Sequence, residues 1–140
     1  MDMNATTTIA LPPDQVYAFV ANPANDVRWR TGVTESGLTS EPPLQVGSEG
    51  FASAGDQTSH WRVTAIVPGS SVDWELTDGP IAGTGGYRLE PVNDETRFTL
   101  VADVGPKGLL RLLGPVFARV GRRQNMADVE KLRSILESAD

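Results

Sequence analysis

Residues 105–140 read GPKGLLRLLGPVFARVGRRQNMADVEKLRSILESAD, and this stretch decides the fold because its spacing predicts one long helix interrupted near Gly114 and Pro115. At 100° per residue, Leu109, Leu113, Val116, Phe117, Val120 and Ala127 fall in a stripe roughly 100° wide, with Arg111, Arg119, Arg122 and Arg123 opposite. Pro106 suits a helix start. Pro115 would remove one intrahelical hydrogen bond and clash with the preceding turn, so a kink or restart is expected there. The break divides the helix into Leu109–Leu113, a flap at one end of a groove, and Val116–Leu136, the fixed lid of a core, with Gly114 and Pro115 setting the opening between them.

Upstream, the chain alternates apolar and polar residues between turn signals. The pattern predicts strands over Val33–Thr39, Val46–Ala54, Thr58–Val67, Ser71–Thr77, Ile81–Glu90 and Thr96–Ala102, separated by EPP, GDQ, PGS, DGP and VND. Short connections make an antiparallel meander, and Thr6–Leu11 supplies a seventh strand. Between that strand and the meander, Pro12, Pro13 and Asp14 open a short helix with Val16, Phe19 and Val20 on one face. Asn22 and Pro23 end it and begin a second short helix running through Asp26 to about Trp29.

Period 2 puts Trp61, Val63 and Ala65 on one sheet face, with Val72, Trp74 and Leu76, Tyr87 and Leu89, and Phe98 and Leu100. Arg62, Asp73, Glu75, Arg88, Glu90 and Arg97 form a charged ladder on the other. Seven strands at about 4.8 Å span roughly 30 Å, and a helix from Pro115 to Ala139 is roughly 37 Å long, so the helix can cross the whole sheet. The expected architecture is α+β, one domain over residues 1–140.

Composition bounds the function. The chain has 140 residues, 39% hydrophobic, with a net charge of -6, which suits one soluble core and disfavours non-specific binding to phosphate backbones or anionic membranes. The absence of cysteine excludes disulfides, thiolate metal sites and a cysteine nucleophile. Asp2 stands where a signal peptide carries Lys or Arg, and no apolar run approaches the 18 or so residues of a membrane span, so a cytoplasmic location is expected.

IALPPDQVYAFVANPANDVRW near the start, WRVTAIVPGSSVDWEL and GTGGYRLEP in the middle, and LLRLLGPVFARVGRRQNMADVEKLRSILE at the end together resemble the START-like superfamily, in particular the polyketide cyclase/dehydrase type of small bacterial proteins (SRPBCC). The resemblance implies a helix-grip fold: a strand, two short helices, six further strands of a curved antiparallel sheet, and a long C-terminal helix across its concave face. It also implies a hydrophobic cavity for a lipid, polyketide or other apolar molecule, and in some members cyclisation or dehydration of that molecule. It carries no catalytic set onto this chain.

Trp29, Phe51, Trp61, Trp74, Tyr87, Phe98, Leu113 and Phe117 are the candidate ligand-binding residues, since flat apolar surfaces with few polar tips suit ring and chain ligands. The same side chains would equally fill an ordinary core. Trp29, following the short helix pair, is expected at the cavity mouth. An inward Phe51 would bring Glu49 inward, and an inward Val33 would bring Glu35, giving two carboxylates for acid–base chemistry; Val46, Gly50 and Ala52 are the alternative inward set. His60, the single histidine, points away from the core if Trp61 points in. Gly83, Gly85 and Gly86 precede a strand rather than a helix, which excludes a dinucleotide loop and points to curvature or close backbone approach. No metal or cofactor is expected. Residues 106–140 carry seven basic and four acidic groups, a local excess read as a solvated helix face or, alternatively, as a surface formed by Arg119, Arg122 and Arg123 for an acidic protein partner. Three readings follow: a binder of a hydrophobic small molecule, a cyclase- or dehydratase-like enzyme, and a protein-interaction module.

Overall fold

A computed structural model describes residues 2–138, those at 109–111 as backbone only. The elements are β1 (Ala5–Ile9), α1 (Pro13–Val20), a 3-10 turn (Pro23–Asn25), α2 (Asp26–Trp29), β2 (Glu35–Leu38), β3 (Glu49–Ala54), β4 (Gln57–Val67), β5 (Ser71–Asp78), β6 (Ile81–Val92), β7 (Glu95–Pro106), a 3-10 segment (Gly108–Leu113) and α3 (Gly114–Ser138). All seven strands form one sheet in the order β1-β7-β6-β5-β4-β3-β2, and every pairing is antiparallel. The meander closes on itself only in the sense that β1 docks beside β7.

Local chemistry explains the helix pair. Pro12 is extended and Pro13 opens α1 at a position needing no backbone donor, with Asp14 in the first turn. The Asn22 side chain accepts from Ala24 N and caps the 3-10 turn. Val16 and Val20 face the core, which they share with Ile9, Trp29, Val63, Val72, Tyr87, Leu89, Phe98, Leu100, Val129, Leu132 and Leu136. The outer sheet face carries the expected charge pairs, Arg62 with Glu75 and Arg88 with Asp73, all partly solvated and individually weak.

The strand faces follow period 2 except where β4 and β5 shift register, once between His60 and Trp61, where Thr77 of β5 is the extra residue, and once further along β4. This second shift lies between Val63 and Ala65, where Ala65 pairs with Asp73 and Ile66 with Val72. Thr64 is the extra residue of a bulge, so Ala65 is exposed and Ile66 takes the inward position assigned to it.

The C-terminal helix restarts at Gly114 with Pro115 in its first turn, and Gly108–Leu113 is a 3-10 segment rather than an α-helical flap. The buried face differs from the predicted stripe. Val116, Val120 and Leu113 are more than half exposed and Ala127 is also exposed; the side chain of Leu109 lies outside the described residues. The face turned to the sheet is instead Gly114, Ala118, Asn125, Asp128, Val129, Leu132 and Leu136. Large apolar size misled the sequence reading, because the first half of α3 meets the sheet through small and polar residues. A Cβ on Gly121 would lie 2.2 Å from the sulfur of Met3, so close approach selects glycine there.

Candidate functional site

The first half of α3 meets the sheet through small residues, Ala118 packing with Met3 and with Ala102 of β7, and a cavity of about 310 Å³ remains between helix and sheet. Trp61 of β4, Trp74 and Leu76 of β5, Tyr87 of β6, Leu100 of β7 and Phe117 of α3 form its apolar wall; Asp26, Arg30, Gln124 and Asn125 provide polar atoms from the helices, and Ser53, Ser59 and Thr84 from the strands.

Two glycines make room for the two indoles. Gly50 is the register partner of Trp61, and Gly85 that of Trp74. A Cβ at Gly50 would lie 2.2 Å from Trp61 Cζ2 and 2.6 Å from the Gly37 carbonyl oxygen; at Gly85 it would lie 2.8 Å from Trp74 Nε1. Each indole therefore lies over bare backbone of the neighbouring strand, which is the close approach that the glycines of β6 suggested. Gly83 serves β7 differently, with φ near 138° and no room for a side chain, since a Cβ there would lie 2.2 Å from the Asp103 carbonyl oxygen.

Of the eight residues singled out from sequence, Trp61, Trp74, Tyr87 and Phe117 line the cavity. Trp29 and Phe98 are fully buried beneath it rather than at its mouth. Their rings contact Tyr87 at centroid separations of 6.0 and 5.4 Å, and Trp74 meets Tyr87 edge-on at 4.8 Å, so one aromatic cluster continues from the cavity wall into the core. Phe51 lies on the opposite sheet face, because Gly50 occupies the inward position under Trp61 and Phe51 pairs with His60. Leu113 points to solvent and is not part of the lining.

The carboxylates change places too. Glu35 and Glu49 are exposed and neither lines the cavity; Glu49 shares the outer face with Phe51 and pairs with Arg62. His60 is also on that outer face, its Nδ1 2.6 Å from Asp78 Oδ1. The acidic group that does line the cavity is Asp26. Its Oδ1 is buried without a hydrogen-bond partner among the described residues. Burial pushes the Asp26 carboxyl up to about 7, and the positive charge of Arg30 only partly opposes this. Burial likewise holds the Tyr87 hydroxyl well above its ordinary value, and the charge of Asp26 adds to that shift.

Asp26 is positioned by a clamp between α2 and α3. Arg30, which caps α2, donates from Nε to Asp128 Oδ2 and from Nη2 to Asn125 Oδ1, each at 3.2 Å. The backbone N–H of Thr31 donates to Asp128 at 3.1 Å and its hydroxyl donates to the same carboxylate. Asn125 in turn donates to the Met3 carbonyl at 2.9 Å. The buried polar residues of α3 are thus paired, and they fix the helix that carries Asp26. Sequence reading passed over Asp26, although Asp26, Trp29 and Arg30 stand at i, i+3 and i+4 and so share one helix face. A carboxylate on the face of a buried indole was the available signal.

This architecture is shared with known chains. A family model described as polyketide cyclase/dehydrase and lipid transport matches residues 1–137. The chain belongs to that family. Its fold is START-like: a START superfamily protein from Mycobacterium smegmatis superposes with a TM-score of 0.83 at 12% identity, covering 98% of this chain and 97% of that one. The Zhui aromatase/cyclase from Streptomyces sp. R1128 superposes at 0.76 with 20% identity over 98% of this chain and 93% of that one, and a conserved protein from Geobacillus kaustophilus at 0.78 with 15% identity over 99% and 96%. No curated protein matches the sequence. As a member of this family the chain has the helix-grip fold, and the family supports hydrophobic ligand binding or a cyclase role in general terms. Among the described residues no helix is long and apolar enough to cross a membrane.

Proposed function

We propose that this protein holds a small apolar molecule, such as a lipid, polyketide or aromatic metabolite, in the cavity between the sheet and α3. The observation that carries this reading is the cavity itself, about 310 Å³ and walled by Trp61, Trp74, Tyr87 and Phe117. That volume falls at the lower end of the roughly 300–1,000 Å³ of small-molecule sites, which favours a compact ring system over a two-chain lipid. Native mass spectrometry of the purified protein, with thermal shifts against ring compounds and fatty chains, tests it. Stabilisation by ring compounds is the expected result; no shift with any compound, and no copurified mass, would sink it.

A second reading, proton transfer on the bound molecule as in a cyclase or dehydratase, draws support from Asp26. A carboxyl that titrates near neutrality beside an apolar cavity can act as acid or base. Glu35 and Glu49 no longer serve this reading, since both face solvent. Under it, deuterium exchange at the carbon next to the carbonyl of a bound aryl ketone is catalysed by the protein, and Asp26→Asn abolishes the exchange. Equal exchange in both proteins would remove Asp26 from the chemistry.

A further inference from the structure

The polar side of the cavity has a property that the apolar wall does not explain, and its interpretation rests on the reading that the cavity holds an apolar ligand. Asp26 lines the cavity, and its Oδ1 meets no donor among the described residues. An ionised carboxylate in such a place needs donors or a counter-ion. The charged and titratable groups around it do not supply them. Arg30, on the same helix, already gives Nε to Asp128 and Nη2 to Asn125 of α3. Tyr87 of β6 is buried and keeps its O–H, a donor, but that hydroxyl makes no hydrogen bond to Asp26 Oδ1. Arg28 is exposed, its guanidinium 5.1 Å from the Phe19 ring centroid, and Glu35 at the start of β2 is exposed. A neutral carboxyl avoids the problem, because it carries its own proton and asks instead for an acceptor.

We propose that Asp26, as a neutral carboxylic acid, is the polar recognition group of the cavity: it donates a hydrogen bond to an uncharged carbonyl oxygen of an otherwise apolar aromatic ligand and selects against ligands that end in a carboxylate. The clamp accounts for the selection against carboxylates. Arg30 would be the natural partner of an anionic ligand, but the buried carboxylate of Asp128 already balances its charge, so an incoming anion meets no uncompensated cation. It would also confront Asp26, whose proton would then have to stay in place against a nearby like charge.

Three matched naphthalenes separate the terms: 2-acetonaphthone, 2-isopropylnaphthalene and 2-naphthoate, each titrated into the full-length protein while the fluorescence of the cavity tryptophans Trp61 and Trp74 is followed. At about pH 5.5 the ketone is expected to bind roughly tenfold more tightly than the hydrocarbon, the equivalent of one net hydrogen bond, with naphthoate weakest. At about pH 8.5, where Asp26 is ionised, the ketone loses that advantage. Asp26→Asn keeps an N–H donor of nearly the same shape and so preserves the ketone preference at both pH values; Asp26→Leu removes it at both. The ketone and hydrocarbon do not titrate, so a pH-dependent preference between them belongs to the protein. Equal binding of ketone and hydrocarbon at both pH values, or tightest binding of naphthoate, overturns the proposal while leaving the cavity reading intact. Binding of none of the three overturns the cavity reading and the proposal with it.

Discussion

The two halves of α3 cross the same sheet, yet one packs through large apolar side chains and the other mainly through small ones that leave a cavity beside it. From Asp128 onward Val129, Leu132 and Leu136 press into Ile9, Val16, Val20, Leu89 and Phe98. Before Asn125 the inward residues are Gly114, Ala118 and Gly121, with Phe117 alone contributing a large apolar side chain to the cavity wall, and Val116 and Val120 face solvent. The strands make the complementary adjustment, placing Gly50 and Gly85 beneath Trp61 and Trp74. One helix therefore closes one end of the groove by filling it and leaves the other end open by withholding volume. The polar clamp of Arg30, Asn125 and Asp128 lies at the boundary.

If that division is correct, the closed end should carry the stability. Leu132 is fully buried, and Leu132→Ala should destabilise the fold by about 3 kcal/mol through lost transfer energy and the cavity left behind. Urea denaturation measures this directly. Binding of a naphthyl ketone by the folded fraction should be unchanged, because Leu132 does not line the ligand cavity. A comparable loss of binding would mean the two ends are not independent.

At the boundary the effect is smaller and depends on pH. The unfolded chain releases the Asp26 proton near the ordinary value of about 3.9, whereas the folded chain keeps it until about 7. The folded state thus binds more protons in between, and the Asp26 contribution is fully present below about pH 4 and lost as pH rises through about 7. Three pKa units would correspond to about 4 kcal/mol; because the residue as a whole is only partly buried, about 2 kcal/mol is expected. The slope of stability between pH 4 and about 8 should be flatter in Asp26→Asn than in the wild type, and the variant should be the more stable protein at about pH 8. Parallel slopes would place Asp26 in contact with solvent.

These two positions also mark what can be read from the chain alone. Strand number, order of elements and the crossing helix follow from turn signals such as Pro68-Gly69 and Asp78-Gly79 and from alternation around Trp61, Trp74 and Tyr87, because a half-buried sheet enforces period 2. The inward face of α3 does not follow, since hydrophobic periodicity finds where large apolar residues lie and an open cavity is bordered by small ones. Ala65 and Ile66 were exchanged by a bulge that leaves no mark in composition. Phe51 was misplaced for a related reason: the inward residue of β3 is a glycine, and only the indole from the next strand gives it a face. Asp26 is the site residue that pattern reading passed over, because its consequence depends on burial by elements about 60 to 100 residues away in the chain, Tyr87 and Asn125 among them.

At the open end, Gly50→Ala should reverse the balance seen for Leu132→Ala. The new methyl must displace the Trp61 indole or push against the Gly37 carbonyl, an overpacking cost of about 1–2 kcal/mol. Since Trp61 is part of the cavity wall, the expected loss in ketone affinity is roughly tenfold, proportionally greater than the loss in stability. Fluorescence of Trp61 reports the displacement independently. Intact binding would mean that the indole can move without altering the site.

The smallest effect is expected where α3 begins. Pro115 is exposed and sits in the first turn, where it has no N–H to offer the carbonyl of residue 111. Pro115→Ala restores that donor and permits α-helical hydrogen bonding to extend back into Gly108–Leu113, at the expense of the conformational restriction proline places on the unfolded chain. The two contributions oppose each other, so stability should change by less than about 1 kcal/mol. The position of the 3-10 segment need not be so indifferent, because it joins the end of β7 to the half of α3 that borders the cavity. If the restart sets the width of the open end, the variant alters the rate and affinity of ketone binding while its melting temperature stays near that of the wild type, and circular dichroism records a gain of helix. Small and proportionate changes in both properties would reduce the break to a structural stop, leaving Gly50, Gly85 and the small residues of α3 as the features that hold the cavity open.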